Sequence, residues 1–124
     1  MVRLMKKILI VEDIELNVDL LTQILEDHYE VVVAHDGAQG VTFAAQHRPD
    51  LIIMDMSLPI MDGWEATRNI RANETTKRIP VIGLSAHAMQ GDRDKAIEVG
   101  CNEYLTKPVD DELLLKTISK LLEN

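Results

Sequence analysis

The chain has one cysteine, Cys101, among its 124 residues. A single thiol excludes an internal disulfide and every zinc motif that needs several thiolates. Aromatic residues are also scarce, at 3%. The net charge is −8, and the basic residues form no cluster along the sequence. Because nucleic acids and anionic membrane surfaces are bound through basic patches, neither is an expected direct partner.

The sequence also lacks long apolar runs, since its longest apolar segment is far too short to cross a bilayer. The first residues, MVRLMKKILIVED, hold a short apolar segment that ends in two acids. They lack the longer apolar region and the small-residue cleavage site of a signal peptide. We therefore expect no membrane insertion and a cytoplasmic location. The length fits one domain built around one core.

Short apolar segments alternate with helical patterns along the chain. The strand-like segments are KILIVED, EVVVAH, DLIIMD, IPVIGLSA and NEYLT. The first helical segment has Ile14, Val18, Leu21 and Leu25 on a single face. The next three are DGAQGVTFAAQH, GWEATRNIRAN and GDRDKAIEVG, the last of which is closed by Gly100. The fifth begins at Asp110 and is lined by Leu114, Ile118 and Leu121. This alternation predicts a five-stranded parallel sheet that is covered by five helices on its two faces.

Polar side chains stand at the carboxyl end of each predicted strand, where an open parallel sheet forms its binding crevice. In strand order they are Glu12 and Asp13, His35 and Asp36, Asp55, Ser85, and Lys107 before Pro108. If the strand order is 2-1-3-4-5, strands one and three are neighbours at the point where the order reverses. The three acids Glu12, Asp13 and Asp55 then converge, with Ser85 and Lys107 alongside.

Asp55 follows the apolar residues LIIM of a strand that is expected to be buried on both faces. A buried carboxylate is costly unless something compensates for its lost hydration, and three carboxylates in one crevice raise each other's pKa. A divalent cation such as Mg²⁺ relieves that repulsion and prefers oxygen ligands. Together with Lys107 and the Ser85 hydroxyl, it would make Asp55 a competent nucleophile for phosphoryl transfer.

Four motifs at these strand ends give the chain its family resemblance. They are the acids in IVED, the aspartate in IIMDMSLPIMDG, the hydroxyl in GLSAHAM and the lysine in YLTKP. With these motifs, the chain resembles the receiver domain of two-component response regulators from Lys6 to Leu122. The resemblance implies a flavodoxin-like, doubly wound sheet of order 2-1-3-4-5 and a single receiver domain over residues 1–124 without an output domain.

The resemblance also implies a role for each site residue. Asp55 is the expected phosphoacceptor, and Ser85 and Lys107 are expected to contact the phosphoryl group. Mg²⁺ is expected to be bound by Glu12 and Asp13, directly or through water, by Asp55 and by the backbone carbonyl of Ser57. An alternative for Glu12 is that it faces solvent while Asp13 alone holds the metal through water.

Two residues are expected to transmit the signal. By the resemblance, Ser85 moves toward the phosphoryl group and Tyr104, the aromatic switch residue, rotates inward; alternatively Tyr104 is a plain half-buried strand residue. His87 either flanks the phosphoryl group or is an exposed loop histidine. The Lys107–Pro108 bond is expected to be cis.

The expected function is a phosphorylation-dependent switch and not an enzyme that turns over an outside substrate. The expected partners are a histidine kinase or a histidine phosphotransfer protein upstream and a protein target downstream. One rival is a Mg²⁺-dependent phosphohydrolase of the haloacid-dehalogenase type. Its motif requires a second aspartate two residues after the nucleophile, where this chain has Ser57. Another rival, a flavodoxin-like binder, would need a phosphate-binding loop after strand one, where this chain has the acids Glu12 and Asp13.

Overall fold

A computed structural model of the chain describes residues 5–86 and 91–123. Five strands and five helices alternate in chain order. Their bounds are β1 Lys7–Val11, α1 Glu15–Leu25, β2 Glu30–Ala34, α2 Gly37–His47, β3 Leu51–Asp55, α3 Gly63–Ala72, β4 Val81–Ser85, α4 Asp92–Val99, β5 Glu103–Thr106 and α5 Asp111–Leu122. The predicted alternation is confirmed.

The strands form one parallel sheet of order β2-β1-β3-β4-β5, as expected. All residues of β3 and β4 are buried, which explains why these segments are continuous apolar runs. Val11 at the end of β1 pairs with Met54, one residue before the end of β3. This register brings the acids that follow β1 next to Asp55.

Alternate strand residues point to opposite faces of the sheet and form two core layers. Ile8 and Ile10 of β1 pack with α1 and α5, whereas Leu9 and Val11 pack with α2, α3 and α4. Ile14 was expected on the buried face of α1, and this is wrong. It occupies the N-cap position with extended backbone and is 53% exposed, because it precedes the helical turn that orients Val18 inward.

Several helix ends are fixed by side chains that the sequence makes recognisable. Asp36, Asp62 and Asp110 accept hydrogen bonds from the backbone N–H three residues on, at 2.7, 2.9 and 3.0 Å. Gly100 closes α4 in the left-handed conformation, as predicted. No helix within 5–86 and 91–123 combines the length and the apolar character that crossing a membrane requires.

Arg71 ties the end of α4 to the rest of the fold. Its guanidinium donates to the carbonyls of Gly100 at 2.9 Å and Ile79 at 2.8 Å and to Asn102 Oδ1 at 2.9 Å. Cys101, which follows Gly100, is buried, and burial raises the pKa of its thiol to about 11. The thiol is therefore protonated and unreactive at neutral pH.

Candidate functional site

Three carboxylates meet where β1 and β3 end side by side. Glu12, Asp13 and Asp55 each place an oxygen within 4.8 Å of the others. Glu12 is fully buried and Asp55 is 3% exposed, whereas Asp13 is open to solvent. The predicted convergence is confirmed, and the alternative in which Glu12 faces solvent is wrong. The Glu12 side chain instead lies in the interior, where its Oε1 accepts a hydrogen bond from Lys107.

Lys107 joins two of these acids. Its ammonium lies 2.9 Å from Glu12 Oε1 and 3.3 Å from Asp55 Oδ2. The lysine follows β5 and is held there by its own N–H, which donates to the Ser85 carbonyl at 2.8 Å. The Lys107–Pro108 bond is cis, as the resemblance implied. The cation is thus placed directly beside the carboxylate that was expected to be the nucleophile.

The electrostatics of the site reflect a shortage of positive charge. Burial raises the pKa of Glu12, and the hydrogen bond from Lys107 offsets only part of that rise. Burial alone would lower the pKa of Lys107, but its hydrogen bond to Glu12 and the charge of Asp55 outweigh burial and raise it. Among the described residues, three carboxylates meet the single ammonium of Lys107 here, so the cluster favours a further cation.

Asp55 has a partner at each oxygen. Oδ1 accepts from the Ser57 N–H at 3.0 Å, and Oδ2 faces Lys107. The backbone of Ser57 therefore folds back over the carboxylate while its side chain is exposed. The role of the Ser57 carbonyl as a metal ligand stays a prediction.

The turn after Asp55 carries a backbone conformation that no sequence signal announced. Met61 N–H donates to the Pro59 carbonyl at 2.7 Å, and Ile60 between them has φ 68°. A β-branched residue is strained in this region, and Ile60 is also 84% exposed. The turn that follows Asp55 in the chain therefore exposes an apolar side chain.

Gly63 determines how α3 packs against the site. A Cβ at this position would lie 2.4 Å from the Asp55 carbonyl oxygen and 2.6 Å from Met56 Cα, both of them backbone atoms. Gly63 N–H also donates to the Met56 carbonyl at 3.2 Å. Sequence reasoning missed this contact, although a glycine directly after the turn was visible in MDGW. The first residue of α3 is consequently seated on the backbone of Asp55.

The two expected switch residues are both buried. Ser85 is the last residue of β4 and is 5% exposed. Tyr104 is 7% exposed, and its ring fills the space that Gly83 leaves open, beside Met56. The rotation of Tyr104 and the movement of Ser85 on phosphorylation stay predictions. His87 lies outside the described residues.

A doubly wound parallel sheet with an acidic cluster and a lysine at its switch point defines a receiver-type domain. The sequence profile described as "Response regulator receiver domain" matches residues 8–119, and the chain belongs to this family. Receiver domains of this family are regulatory phosphoacceptor domains that work with histidine kinases and downstream targets.

Two similar response regulators differ in the share of their own length that the chain covers. It is 37% identical to the polar-differentiation response regulator DivK of Brucella anthropi over 118 residues. These residues cover 94% of this chain and 96% of DivK. It is 40% identical over 116 residues to the response regulator PleD of Caulobacter vibrioides, covering 93% of this chain but only 26% of PleD. The chain therefore corresponds to about a quarter of PleD.

Solved receiver structures superpose closely on the chain. The receiver domain of the sensor histidine kinase PA1611 from Pseudomonas aeruginosa PAO1 has a TM-score of 0.89 and 39% identity, over 96% of this chain and 98% of that one. That structure holds a magnesium ion in its active-site cleft. The chemotaxis protein CheY4 of Vibrio cholerae has a TM-score of 0.88 and 32% identity, over 95% of this chain and 99% of CheY4.

Proposed function

We propose that this chain is a phosphorylation-dependent signalling switch whose phosphoacceptor is Asp55. The donor is a histidine kinase or a histidine phosphotransfer protein, and the phosphorylated form changes its binding to a downstream protein target in the cytoplasm. One observation carries the proposal: the buried Asp55 carboxylate lies 3.3 Å from Lys107 inside a cluster of acids. That arrangement combines a nucleophile with the charge that a transferring phosphoryl group requires.

The acidic cluster fits Mg²⁺, because it supplies three hard oxygen donors within 4.8 Å of one another. Asp13 and Asp55 would hold the ion, with Glu12 in the same cluster and the Ser57 carbonyl as a further ligand. When bound, the ion supplies neutralisation of the charge on the phosphoryl oxygens.

The chain's own residues account for the transfer. An Asp55 oxygen attacks the phosphorus of a phosphohistidine, the P–N bond breaks, and the imidazole departs with the electron pair and takes a proton from solvent. The product is an aspartyl phosphate. Lys107 already reaches Asp55 Oδ2 and would pair with a phosphoryl oxygen, and the Ser85 hydroxyl would donate to another.

The regulatory role is favoured over turnover of an outside substrate. A phosphohydrolase of the type considered above needs a carboxylic acid two residues after its nucleophile, and that position holds Ser57. Its exposed side chain offers no group with a pKa suited to protonating a leaving alcohol at neutral pH. Any catalysis by the domain is then limited to its own phosphorylation and dephosphorylation.

Apolar side chains around the acidic cluster support docking of a protein donor. Ile14 follows Asp13 directly, Leu16 and Leu20 lie on α1, and Ile60 lies on the turn after Asp55; all four are exposed. Exposed apolar groups around a polar centre are typical of protein interaction sites. We infer that the phosphohistidine is delivered by a protein that covers this rim.

Stoichiometry of labelling tests the proposed function. With Mg²⁺ and acetyl phosphate, intact-mass analysis should show at most one phosphoryl group per chain, stable in acid and lost in base, as an acyl phosphate is. Incubation with a phosphate monoester should release phosphate no faster than the buffer alone. Rapid release with many turnovers per chain would identify an enzyme and overturn the proposal.

Metal binding should appear as a change in stability. At a Mg²⁺ concentration about ten times Kd, a ligand that binds only the native state adds about 1.4 kcal/mol, so the melting temperature of the wild type should rise. Asp13→Asn relieves repulsion, and we expect it to be more stable than wild type without metal and to lose most of the Mg²⁺ response. Melts with Mg²⁺ and with chelator measure both effects.

The matched control is Asp19→Asn, which removes an exposed carboxylate from α1 outside the cluster. It should retain the full Mg²⁺ response. An equal shift in Asp13→Asn and wild type would remove Asp13 from the metal site.

A further inference from the structure

Helix α4 has little apolar anchoring. Of its eight residues, all of which the structure describes, Ala96 alone is buried, and Ile97 is 44% exposed. Its first turn has no side-chain cap, because Gly91 occupies the N-cap position. A helix with so little buried apolar surface depends on a few specific contacts and opens at low cost.

Those contacts are polar and can be named. Arg71 holds the C-terminal end through the Gly100 carbonyl. Arg93 donates to the Tyr104 carbonyl at 3.3 Å and pairs with Glu103 at the same distance. In the middle of the helix, the Lys95 ammonium lies 4.6 Å from the centre of the Trp64 ring, a cation–π contact.

Trp64 connects this cation to the phosphoacceptor strand. It directly follows Gly63, which is seated on the backbone of Asp55 and Met56 with no room for a side chain. Its indole also stacks on Tyr104, with ring centres 6.4 Å apart and planes 27° apart. Tyr104 in turn shares the space at Gly83 with the Met56 sulfur. The indole is therefore positioned by the backbone around Asp55 on one side and contacts α4 on the other.

Trp64 thus lies between the end of the strand that carries Asp55 and helix α4. We propose that Trp64 couples the state of Asp55 to α4 through its contact with Lys95, a route that runs through the start of α3. The proposal rests on the phosphorylation of Asp55 proposed above. A small shift of the Asp55–Met56 backbone moves Gly63 and tilts the indole against Lys95, which changes how firmly α4 is held. A close-packed interior transmits such a shift, because its contacts have few voids to absorb it and change between discrete arrangements.

The test is amide hydrogen exchange of α4, Asp92–Val99, with and without beryllofluoride and Mg²⁺ as a mimic of the phosphoryl group. In wild type the exchange of α4 should change when beryllofluoride binds. Lys95→Met keeps most of the length of the side chain but removes the charge. In the unmodified state it should speed α4 exchange about two- to fivefold, the size of an exposed cation–π contact. The response to beryllofluoride should then be lost.

Two further variants separate the contact from general effects on folding. Lys116→Met makes the same change at an exposed position of α5 and should keep the wild-type response. Trp64→Leu should behave as Lys95→Met does, and Trp64→Tyr should restore part of the response because it restores an aromatic face. If Trp64→Leu fails to fold, the exposed Lys95 still decides the question.

Binding of beryllofluoride, followed separately by ¹⁹F NMR, distinguishes the two proposals. No Mg²⁺-dependent binding in wild type would overturn the proposed function. Normal binding with an equal α4 response in Lys95→Met and wild type would overturn the coupling through Trp64 and leave the proposed function standing. Normal binding with no α4 response in wild type would overturn the coupling as well.

Discussion

Asp55→Asn is expected to abolish phosphoryl uptake from acetyl phosphate. The amide has no anionic oxygen with which to attack phosphorus. Glu12 also contacts Lys107, but the Ser57 N–H donates to Asp55 and not to Glu12. The fold should persist, because asparagine retains the shape and an acceptor oxygen for Ser57. Phosphate-affinity electrophoresis and intact mass measure the loss.

The control for this variant is Asp62→Asn on the same loop. Asp62 caps α3 through the Glu65 N–H, and asparagine caps a helix nearly as well, so labelling should match that of wild type. Equal labelling of Asp55→Asn and wild type would sink the assignment of the phosphoacceptor. Labelling lost in both variants would point instead to damage in the turn between β3 and α3.

The sheet was predictable because its physics is local and repetitive. Strands β3 and β4 are buried on both faces, so each appears in the sequence as an unbroken apolar run. The aspartates that cap α2, α3 and α5 stand one residue before helices that the apolar spacing also indicates. Ile14 shows the limit: its spacing matches the buried face of α1, but its extended backbone turns it outward.

The convergence of the acids followed from strand order, whereas their individual environments did not. Spacing along the chain does not reveal that Glu12 is buried and bonded to Lys107 while Asp13, its neighbour, faces solvent. That division depends on side-chain length and on a lysine 95 residues away. The left-handed Ile60 was likewise unpredictable, because glycine or asparagine is the usual residue for that conformation.

The contacts of α4 could not be derived from sequence for a related reason. Its eight residues give almost no apolar periodicity, since Ala96 is the buried one. Lys95 and Trp64 lie on different helices, and neither motif nor spacing links them. Long-range contacts between single side chains need the packed structure, whereas the family motifs lie together at the strand ends.

Lys107→Met is expected to lower the free energy of unfolding by about 3 kcal/mol at neutral pH without metal. The substitution removes the cation that lies between Glu12 and Asp55 and leaves two buried carboxylates without it. Breaking a buried pair in this way costs about 3–5 kcal/mol, and the partial exposure of Lys107 places this site at the lower end. Urea unfolding in the presence of a chelator measures the change.

The pH dependence of this loss identifies its cause. Burial already raises the pKa of Glu12, and removing Lys107 takes away the hydrogen bond that lowers it, so the pKa rises further. Because the pKa of Glu12 is higher in the folded state than in the unfolded state, protonation of Glu12 favours the folded state. The free energy of unfolding therefore rises as the pH falls through the folded-state pKa. The deficit of Lys107→Met should therefore shrink as the pH falls from neutrality toward the ordinary glutamate pKa of 4.5, because Glu12 takes up a proton. Wild-type Lys107 stays charged throughout, since its raised pKa lies well above this range.

Two companion variants show whether stranded charge or lost packing is responsible. Glu12→Gln combined with Lys107→Met removes one of the uncompensated carboxylates and should recover more than about half of the lost stability. Lys116→Met, an exposed position on α5, should stay within about 0.5 kcal/mol of wild type. If the double variant is as unstable as Lys107→Met and the deficit is constant with pH, the loss comes from packing of the lysine stem. The ion pair would then contribute little, because solvent would already screen the charges that the acids and Lys107 present to each other.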